Sequence, residues 1–328
     1  MSFAEIIGHT KQLAMLRSAL SAERLHHAYL FVGPDGIGKR AAAIAVAKAI
    51  HCEEGVNDFC GSCVNCARIS DGNHPDVRLI QPLPEKKEIS IQQIRELQRD
   101  LNYRSFSGKR KIALIDPATL MNLSAQNALL KTLEEPPENS WIVLIAANSG
   151  GLLPTVRSRC VRLSFAPLTR QQVAAYLISQ NKTTPDETES LAAMSMGSIG
   201  LAFNLKTEQL FEKRKDWAQT LSSLKRRDYH SAMAAAEELG EDRDKTLSFL
   251  GWAESWFRDL LVYQETGEAD ELVNVDMLAE IERQAAGVKL DRLQACMEKA
   301  VSAAAAIQRN LNRRMILEDL LFSVVGAP

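Results

Sequence analysis

Four of the six cysteines, Cys52, Cys60, Cys63 and Cys66, crowd into one short stretch with the spacing C-x7-C-x2-C-x2-C. Four thiolates close a tetrahedral zinc site, and a C-x2-C step lets one tight turn, here helped by Gly61, aim two sulfurs at one ion. A closed four-sulfur shell leaves no position for substrate or water, so the expected role of such a zinc is structural. The same ligands suit an iron–sulfur cluster or redox thiols, and spacing alone leaves those readings open. Cys160 and Cys296 stand apart and are expected as small buried hydrophobes.

A second constellation lies in AYLFVGPDGIGKR, where Gly33, Gly36, Gly38 and Lys39 follow a strand-like run and precede the helical AAAIAVAKAI. A glycine-rich turn at that junction points backbone N–H groups at a phosphate, and its lysine adds charge. The next position needs a hydroxyl to reach magnesium; it is Arg40, whose fixed charge opposes a metal there. The run KIALID ends in Asp116, available to a metal through its water shell, but Pro117 stands where a general base is needed. Gly33, Gly36, Gly38, Lys39, Arg40 and Asp116 therefore outline a degenerate nucleotide site. It either holds nucleotide weakly or survives as a structural turn, and independent hydrolysis is not expected with two parts of the machinery missing together.

The elements that must position these residues are short apolar runs: AYLFV (28–32), VRLI (77–80), KIALID (111–116), WIVLIAA (141–147) and VRLSF (161–165). Runs of this length bounded by turn signals suit strands buried on both faces, and helices between them imply a parallel, doubly wound α/β sheet. After APLT (166–169), whose Thr169 suits a helix N-cap, only helical periodicity remains. A small helical unit is expected over 166–206, with Val173, Tyr176, Leu177, Ile178, Leu191 and Met194 as apolar positions and a Gly197-Ser198-Ile199-Gly200 turn. From 207 to 328 helices dominate, and the three- and four-residue spacing of Phe249, Leu250, Trp252, Trp256, Phe257, Leu260 and Leu261 reads as core packing. The division expected is thus an α/β domain over 1–165 with a metal module at 52–66, a small helical domain over 166–206, and a helical domain over 207–328.

Bulk properties narrow the function classes. A chain of 328 residues, 46% apolar and 24% charged, has the composition of two or three ordinary globular domains. A net charge of -2 and a pI near 6.3 offer no basic face for nucleic acid, so any DNA contact is expected to be local or shared with partners. Lys109-Arg110-Lys111, Lys225-Arg226-Arg227 and Arg313-Arg314 are expected as solvated faces. There is no apolar run of about 18 residues and no basic then apolar start, so a cytoplasmic chain with no membrane partner is expected.

The segments NALLKTLEEPPENS (127–140), WIVLIAAN and LLPTVRSRC (152–160) resemble subunits of the bacterial DNA polymerase III clamp loader, members of the AAA+ clamp-loader family. The likeness runs from FAEIIGH through RLSFAPLT and more loosely to NLNRRMILEDLL. It implies an AAA+ P-loop NTPase-like α/β domain with a zinc module, a small helical lid, and an all-α collar that joins five subunits in a ring. Motor subunits of the family keep a hydroxyl after the loop lysine, an acidic pair after the second strand, and an arginine in a Gly-Ser-x-Arg turn. This chain has Arg40, Asp116-Pro117 and Gly200 at those places, the pattern of a non-motor subunit.

Ser158-Arg159-Cys160 resembles the family's SRC motif, which implies that Arg159 reaches into a neighbour's ATP as a finger on the developing phosphoryl charge. A planar, permanently charged guanidinium suits that task better than lysine. The resemblance further implies gamma/tau motor subunits and a delta subunit in a hetero-pentameric ring, a sliding clamp, primed DNA reached through the assembly, and ATP bound weakly or not at all in this chain's own site. Helix starts inside the ring track the duplex, which makes Ser124, Gln126 and Asn127 candidates for phosphate contact. The holoenzyme containing such a subunit is a DNA-directed DNA polymerase, a nucleotidyltransferase; nothing in this chain supports polymerase chemistry of its own.

Two other readings compete with a non-catalytic assembly subunit. One is an active AAA+ motor with Lys39 on phosphate and Asp116 on magnesium, against which Arg40, Pro117 and Gly200 count. The other is a zinc-dependent DNA-binding protein on a degenerate NTPase scaffold, against which the acidic pI counts.

Overall fold

The five apolar runs form one sheet: β1 (Ala28–Val32), β2 (Val77–Ile80), β3 (Lys111–Ile115), β4 (Ser140–Ala146) and β5 (Val161–Ser164). Their order is β2-β3-β4-β1-β5, and every pairing is parallel. Side chains alternate between the faces of a strand, so a sheet covered on both sides needs apolar residues at every position. Tyr29, Phe31, Ile112, Leu114, Trp141, Val143 and Ile145 share one buried cluster, and their neighbours Leu30, Val32, Ile115, Ile142 and Leu144 share the other. The computed structural model describes residues 2–55, 58–180, 185–207, 210–269, 271–308 and 311–326.

Helices α1 (Thr10–Ser21), α2 (Lys39–His51) and α3 (Val64–Ser70) contribute to the first cluster through Leu13, Leu16, Val46 and Ile69. Helices α4 (Ile91–Asn102), α5 (Leu123–Glu134) and α6 (Pro154–Arg157) contribute to the second through Ile94, Leu97, Leu129 and Val156. Burial on both faces holds for β1, β3 and β4 but not for the edge strands β2 and β5. Leu79 of β2 is 40% exposed, because the helices cover the middle of the sheet and leave its margins to solvent.

No strand follows Ser164 among the described residues. Helix α7 (Arg170–Ser179) starts as expected at Thr169, whose Oγ1 accepts from Gln172 N at 3.2 Å while Gln172 Oε1 accepts from Thr169 N at 2.9 Å. It is followed by α8 (Pro185–Met194) and α9 (Ile199–Thr207). Val173, Leu177, Leu191 and Met194 are buried; Ile178 is 58% exposed, being rotated off the face that Val173 and Leu177 share.

The chain divides into two units, Met1–Tyr176 with Gly197–Leu201, and Leu177–Met196 with Ala202–Pro328. In the second, α10 (Leu210–Ser223), α11 (Tyr229–Leu239), α12 (Arg243–Thr266), α13 (Leu278–Ala285), α14 (Leu290–Gln308) and α15 (Arg313–Val325) pack as a helical assembly. The aromatic stripe of α12 is core as expected: Phe249, Trp252, Trp256 and Phe257 are buried, and Trp217 of α10 meets Phe249 edge-on at 5.7 Å. Leu261 is only half-buried. Beside the stripe, wholly buried Arg214 pairs with Asp276, and Asn274 Nδ2 donates to buried Asp259 Oδ2 at 2.8 Å. No helix among the described residues is long and apolar enough to cross a membrane.

Candidate functional site

The phosphate loop and Asp116 lie at the carboxyl ends of β1 and β3, where open parallel sheets present their ligand sites. One strand, β4, separates them, so about 10 Å must be bridged. Arg40, in the first turn of α2, bridges it: its Nε donates to Asp116 Oδ2. The carboxylate expected to face a metal is thus engaged by the guanidinium that replaced the metal's hydroxyl ligand. Lys39 is only 4% exposed and turns back into its own loop, where Nζ donates to Gly33 O and to Pro34 O at 2.6 Å and lies 3.5 Å from Asp35 Oδ1. Burial lowers its pKa below the ordinary lysine value, with Asp35 opposing.

The turn 197–201, part of the same unit, seats directly on this loop. Gly200 N donates to Gly36 O at 3.0 Å, and Ser198 Oγ donates to Asp35 O at 2.8 Å. Gly36 has φ +72°, and a Cβ on it would stand 2.4 Å from Ser198 Oγ; a Cβ on Gly200 would stand 2.9 Å from Gly36 Cα. Glycine at both positions permits a backbone contact that leaves no room for an arginine at 200. Gly38, with φ +108°, then opens α2. The residues do not fit magnesium, which finds neither a hydroxyl at Arg40 nor a free carboxylate at Asp116.

Arg159 follows α6 at the start of the turn into β5. Its guanidinium lies 2.6 Å from Glu134 Oε1 at the end of α5 and donates to Thr155 O at 3.0 Å. Ser158 Oγ donates to Thr155 O at 3.1 Å, tightening the same turn. The pair is half-exposed, 35% for Arg159 and 50% for Glu134, and such surface pairs contribute only about 0 to 1 kcal/mol. Next to Arg159, Cys160 is half-buried with its thiol pushed up to about 12 by burial, an unreactive group; the other isolated cysteine, Cys296 on α14, is 2% exposed, and burial pushes its thiol up to about 11.

The four clustered cysteines converge as their spacing predicts, with all sulfurs within 4.8 Å of one another and none in a disulfide. Cys52 and Cys63 Sγ are 4.0 Å apart, against about 3.8 Å for two sulfurs on one tetrahedral zinc with bonds of about 2.3 Å. Backbone N–H groups already point at the sulfurs: Gly55 N lies 3.2 Å and Cys60 N 3.3 Å from Cys52 Sγ, and Cys63 N 3.2 Å from Cys60 Sγ. Such donors stabilise thiolates. The side chain of Ser62 and the N–H groups of Cys63 and Ser62 hold the Cys60 pKa down, whereas burial holds Cys66 up. The residues fit a closed zinc site at the end of α2.

Beside the cysteines lies a polar cluster that motif reading missed, His51, His74 and Asp76, all buried. Its only signal is a His-Pro-Asp run ahead of an edge strand. Asp76 accepts from Phe106 N at 2.8 Å, Ser107 N at 2.9 Å and Ser107 Oγ at 2.9 Å. Since Ser107 Oγ gives its proton to Asp76, it accepts from His51 Nδ1 at 3.2 Å, and His74 Nδ1 accepts from Asp76 N at 3.1 Å. Burial alone would raise the Asp76 carboxyl, but these hydrogen bonds outweigh it and its pKa lies below the ordinary value. The cluster fixes the loop ahead of β3.

Of the candidates for phosphate contact, Ser124 and Asn127 are exposed on α5, but Gln126 is 5% exposed and fully engaged. Its Nε2 donates to Met121 O and Gly151 O, and its Oε1 accepts from Leu153 N at 2.8 Å. It braces the turn that leads to α6 and is withdrawn as a DNA contact.

Two family profiles match the sequence, one described as DNA polymerase III, delta subunit, over residues 8–169, and one as DNA polymerase III, delta subunit, C terminal, over 208–325. DNA polymerase III subunit delta' of Bacillus subtilis is 31% identical over 313 residues, covering 94% of each chain. The subunit of the same name in Pseudomonas aeruginosa is 34% identical over 328 residues, covering 95% of this chain and 96% of that one. DNA polymerase III subunit tau/gamma of Haemophilus influenzae is 34% identical over 202 residues, which are 61% of this chain and 29% of that one.

Proposed function

This chain belongs to the DNA polymerase III delta-subunit family, and we propose that it is the stator of the clamp loader, a subunit that completes a neighbour's ATP site without turning over ATP itself. The observation that carries this reading is the pairing of Arg40 with Asp116, which occupies the metal position of the chain's own site with a fixed positive charge. The self-satisfied Lys39 and the seating of Gly200 on Gly36 support it. A site closed in this way serves as a rigid joint between the phosphate loop and the turn 197–201.

What the chain supplies to chemistry is Arg159. Its weak, half-exposed pair with Glu134 keeps the guanidinium at the surface, available to the γ-phosphate of an adjoining motor subunit. There it neutralises charge that builds on the equatorial oxygens during phosphoryl transfer. The α/β domain of 1–165 carries this finger, the turn 197–201 within the lid of 166–206 seats on the loop, and the helical region of 207–328 is the collar that joins the ring with tau/gamma and delta subunits. The assembled ring opens a sliding clamp and loads it on primed DNA. Zinc, held by Cys52, Cys60, Cys63 and Cys66, supplies a structural cross-link at the end of α2.

The test is DNA- and clamp-stimulated ATP turnover by a reconstituted loader carrying either the native chain or Arg159→Ala, with equal assembly confirmed. Loss of one finger should cost about a thousandfold or more at the site it serves. The expected readout is a partial fall in total turnover and a larger fall in clamp loading. Unchanged turnover and loading in an intact complex would refute the finger.

A further inference from the structure

One stretch of the cysteine segment makes contacts that a metal site does not need. Asp58 and Phe59, directly ahead of Cys60, hold residues from near the start of the sequence. Phe3 N donates to Asp58 Oδ1 at 3.0 Å across 55 residues, and the same oxygen accepts from Phe59 N at 2.8 Å. The rings of Phe3 and Phe59 meet edge-on at 5.6 Å, and both residues are buried. Cations from two helices complete the contact. Lys48 Nζ of α2 lies 5.5 Å from the centre of the Phe59 ring, and the Arg17 guanidinium of α1 lies 5.7 Å from that of Phe3 and 3.9 Å from Asp58 Oδ2.

We propose that metal bound by the four cysteines fastens the segment 2–9 to the α/β domain and, through it, steadies the phosphate loop. The inference rests on the zinc reading above and gives that zinc a second task besides closing the end of α2. Gly55 passes so close to Asp58 that a Cβ on it would stand 2.2 Å from Asp58 O, and Cys60 N points at Cys52 Sγ from 3.3 Å. A metal shared by Cys52 and Cys60 ties both ends of this tight loop. Asp58 and Phe59 are then fixed before Phe3 docks on them, which lowers the entropy lost in docking.

The docked segment is itself bonded rather than slack, since Ser2 Oγ accepts from Ala4 N at 3.1 Å and caps a single turn, Phe3–Glu5. It ends at His9, whose Nε2 donates at 2.7 Å to Ile37 O inside the phosphate loop. The His9 ring also rests on Phe165 beyond β5, with centroids 4.9 Å apart. Coupling of this kind is reciprocal: if metal holds the segment, the segment holds metal by the same factor, although Phe3 is no ligand.

The experiment is competition for zinc between the full-length chain and a chromophoric chelator in reducing buffer, for the native chain, Phe3→Ala and Phe3→Leu. Loss of the aromatic pair should weaken zinc binding by roughly tenfold in Phe3→Ala. Phe3→Leu, which keeps an apolar side chain there, should recover part of that loss. Hydrogen exchange of the native chain, loaded with zinc and stripped of it, needs no variant. Peptides covering 2–9 should exchange roughly tenfold faster without metal, while β3 and β4 stay protected. Equal zinc affinity of the native chain and Phe3→Ala, or equal exchange of 2–9 with and without metal, would overturn the clasp and leave the zinc site standing. Loss of protection in β3 and β4 together with 2–9 would also overturn it, because the metal would then hold the whole domain. Failure of the native chain to take zinc would remove the zinc reading itself, and the clasp with it.

Discussion

Replacing Arg40 by threonine restores the hydroxyl that a phosphate loop offers to magnesium and frees Asp116 in one step. In the native chain the guanidinium holds Asp116 Oδ2, with side-chain exposures of 44% and 12%. A magnesium ion seated on Asp116 would stand about 4 Å from that guanidinium and be repelled by about 2 kcal/mol in the dielectric of water, or about 8 kcal/mol at an effective dielectric near 20. The half-exposed guanidinium places the pair nearer the smaller figure, which corresponds to roughly thirtyfold in affinity. The assay is anisotropy of a fluorescent ATP analogue on the full chain, with magnesium present or omitted. Magnesium is omitted rather than chelated so that metal on the cysteines is undisturbed. The native chain should bind no tighter with magnesium, and Arg40→Thr should gain roughly thirtyfold from it. Turnover should stay absent, since Pro117 still stands where a base is needed. An equal response of the two chains to magnesium would refute the reasoning and assign the block to Gly200 on Gly36.

Two further outcomes concern the region that braces β3. Asp76→Ala removes the acceptor of two backbone N–H groups and a hydroxyl, and should lower stability by about 2 to 4 kcal/mol in urea denaturation; a loss below about 0.5 kcal/mol would show that water replaces the carboxylate freely. Because the folded Asp76 pKa is depressed, its contribution is present above the ordinary carboxylate value of about 3.9 and is lost as pH falls through the folded value, so the acid limb of stability against pH should flatten in that variant. Metal analysis in reducing buffer should find about one zinc per chain, and Cys66→Ser should lower both that content and the melting temperature. Iron in place of zinc, or no metal, would remove the structural-zinc reading.

The sheet was legible because its signal is local. Each of the runs at 28–32, 77–80, 111–116 and 141–147 carries apolar residues on both faces of a short stretch, and the run at 161–165 alternates apolar with polar residues; both patterns predict a strand. The convergence of the four cysteines was legible for the same reason: they lie within one segment, and C-x2-C steps bring sulfurs together through a single turn. Exposure of Leu79 and Ile178 was not legible, since an apolar residue reads alike whether or not a helix covers it. Gln126 was misplaced because a helix start near a functional motif says nothing about which backbone groups its amide will find.

By itself, then, the sequence determined the element types, the parallel α/β class, the clustering of four cysteines, and the absence of a magnesium hydroxyl and a general base in the phosphate loop. Tertiary structure alone decided what replaced them. Arg40 meets Asp116 across 76 residues, and Gly200 lies on Gly36 only because a turn far along the chain folds back onto the loop. Asp76 likewise gathers Phe106 and Ser107 from the far side of α4, and so holds an aromatic ring out to solvent. These pairings depend on strand order and on loops closed over long separations, and no local periodicity encodes which distant groups will complete one another's hydrogen bonds.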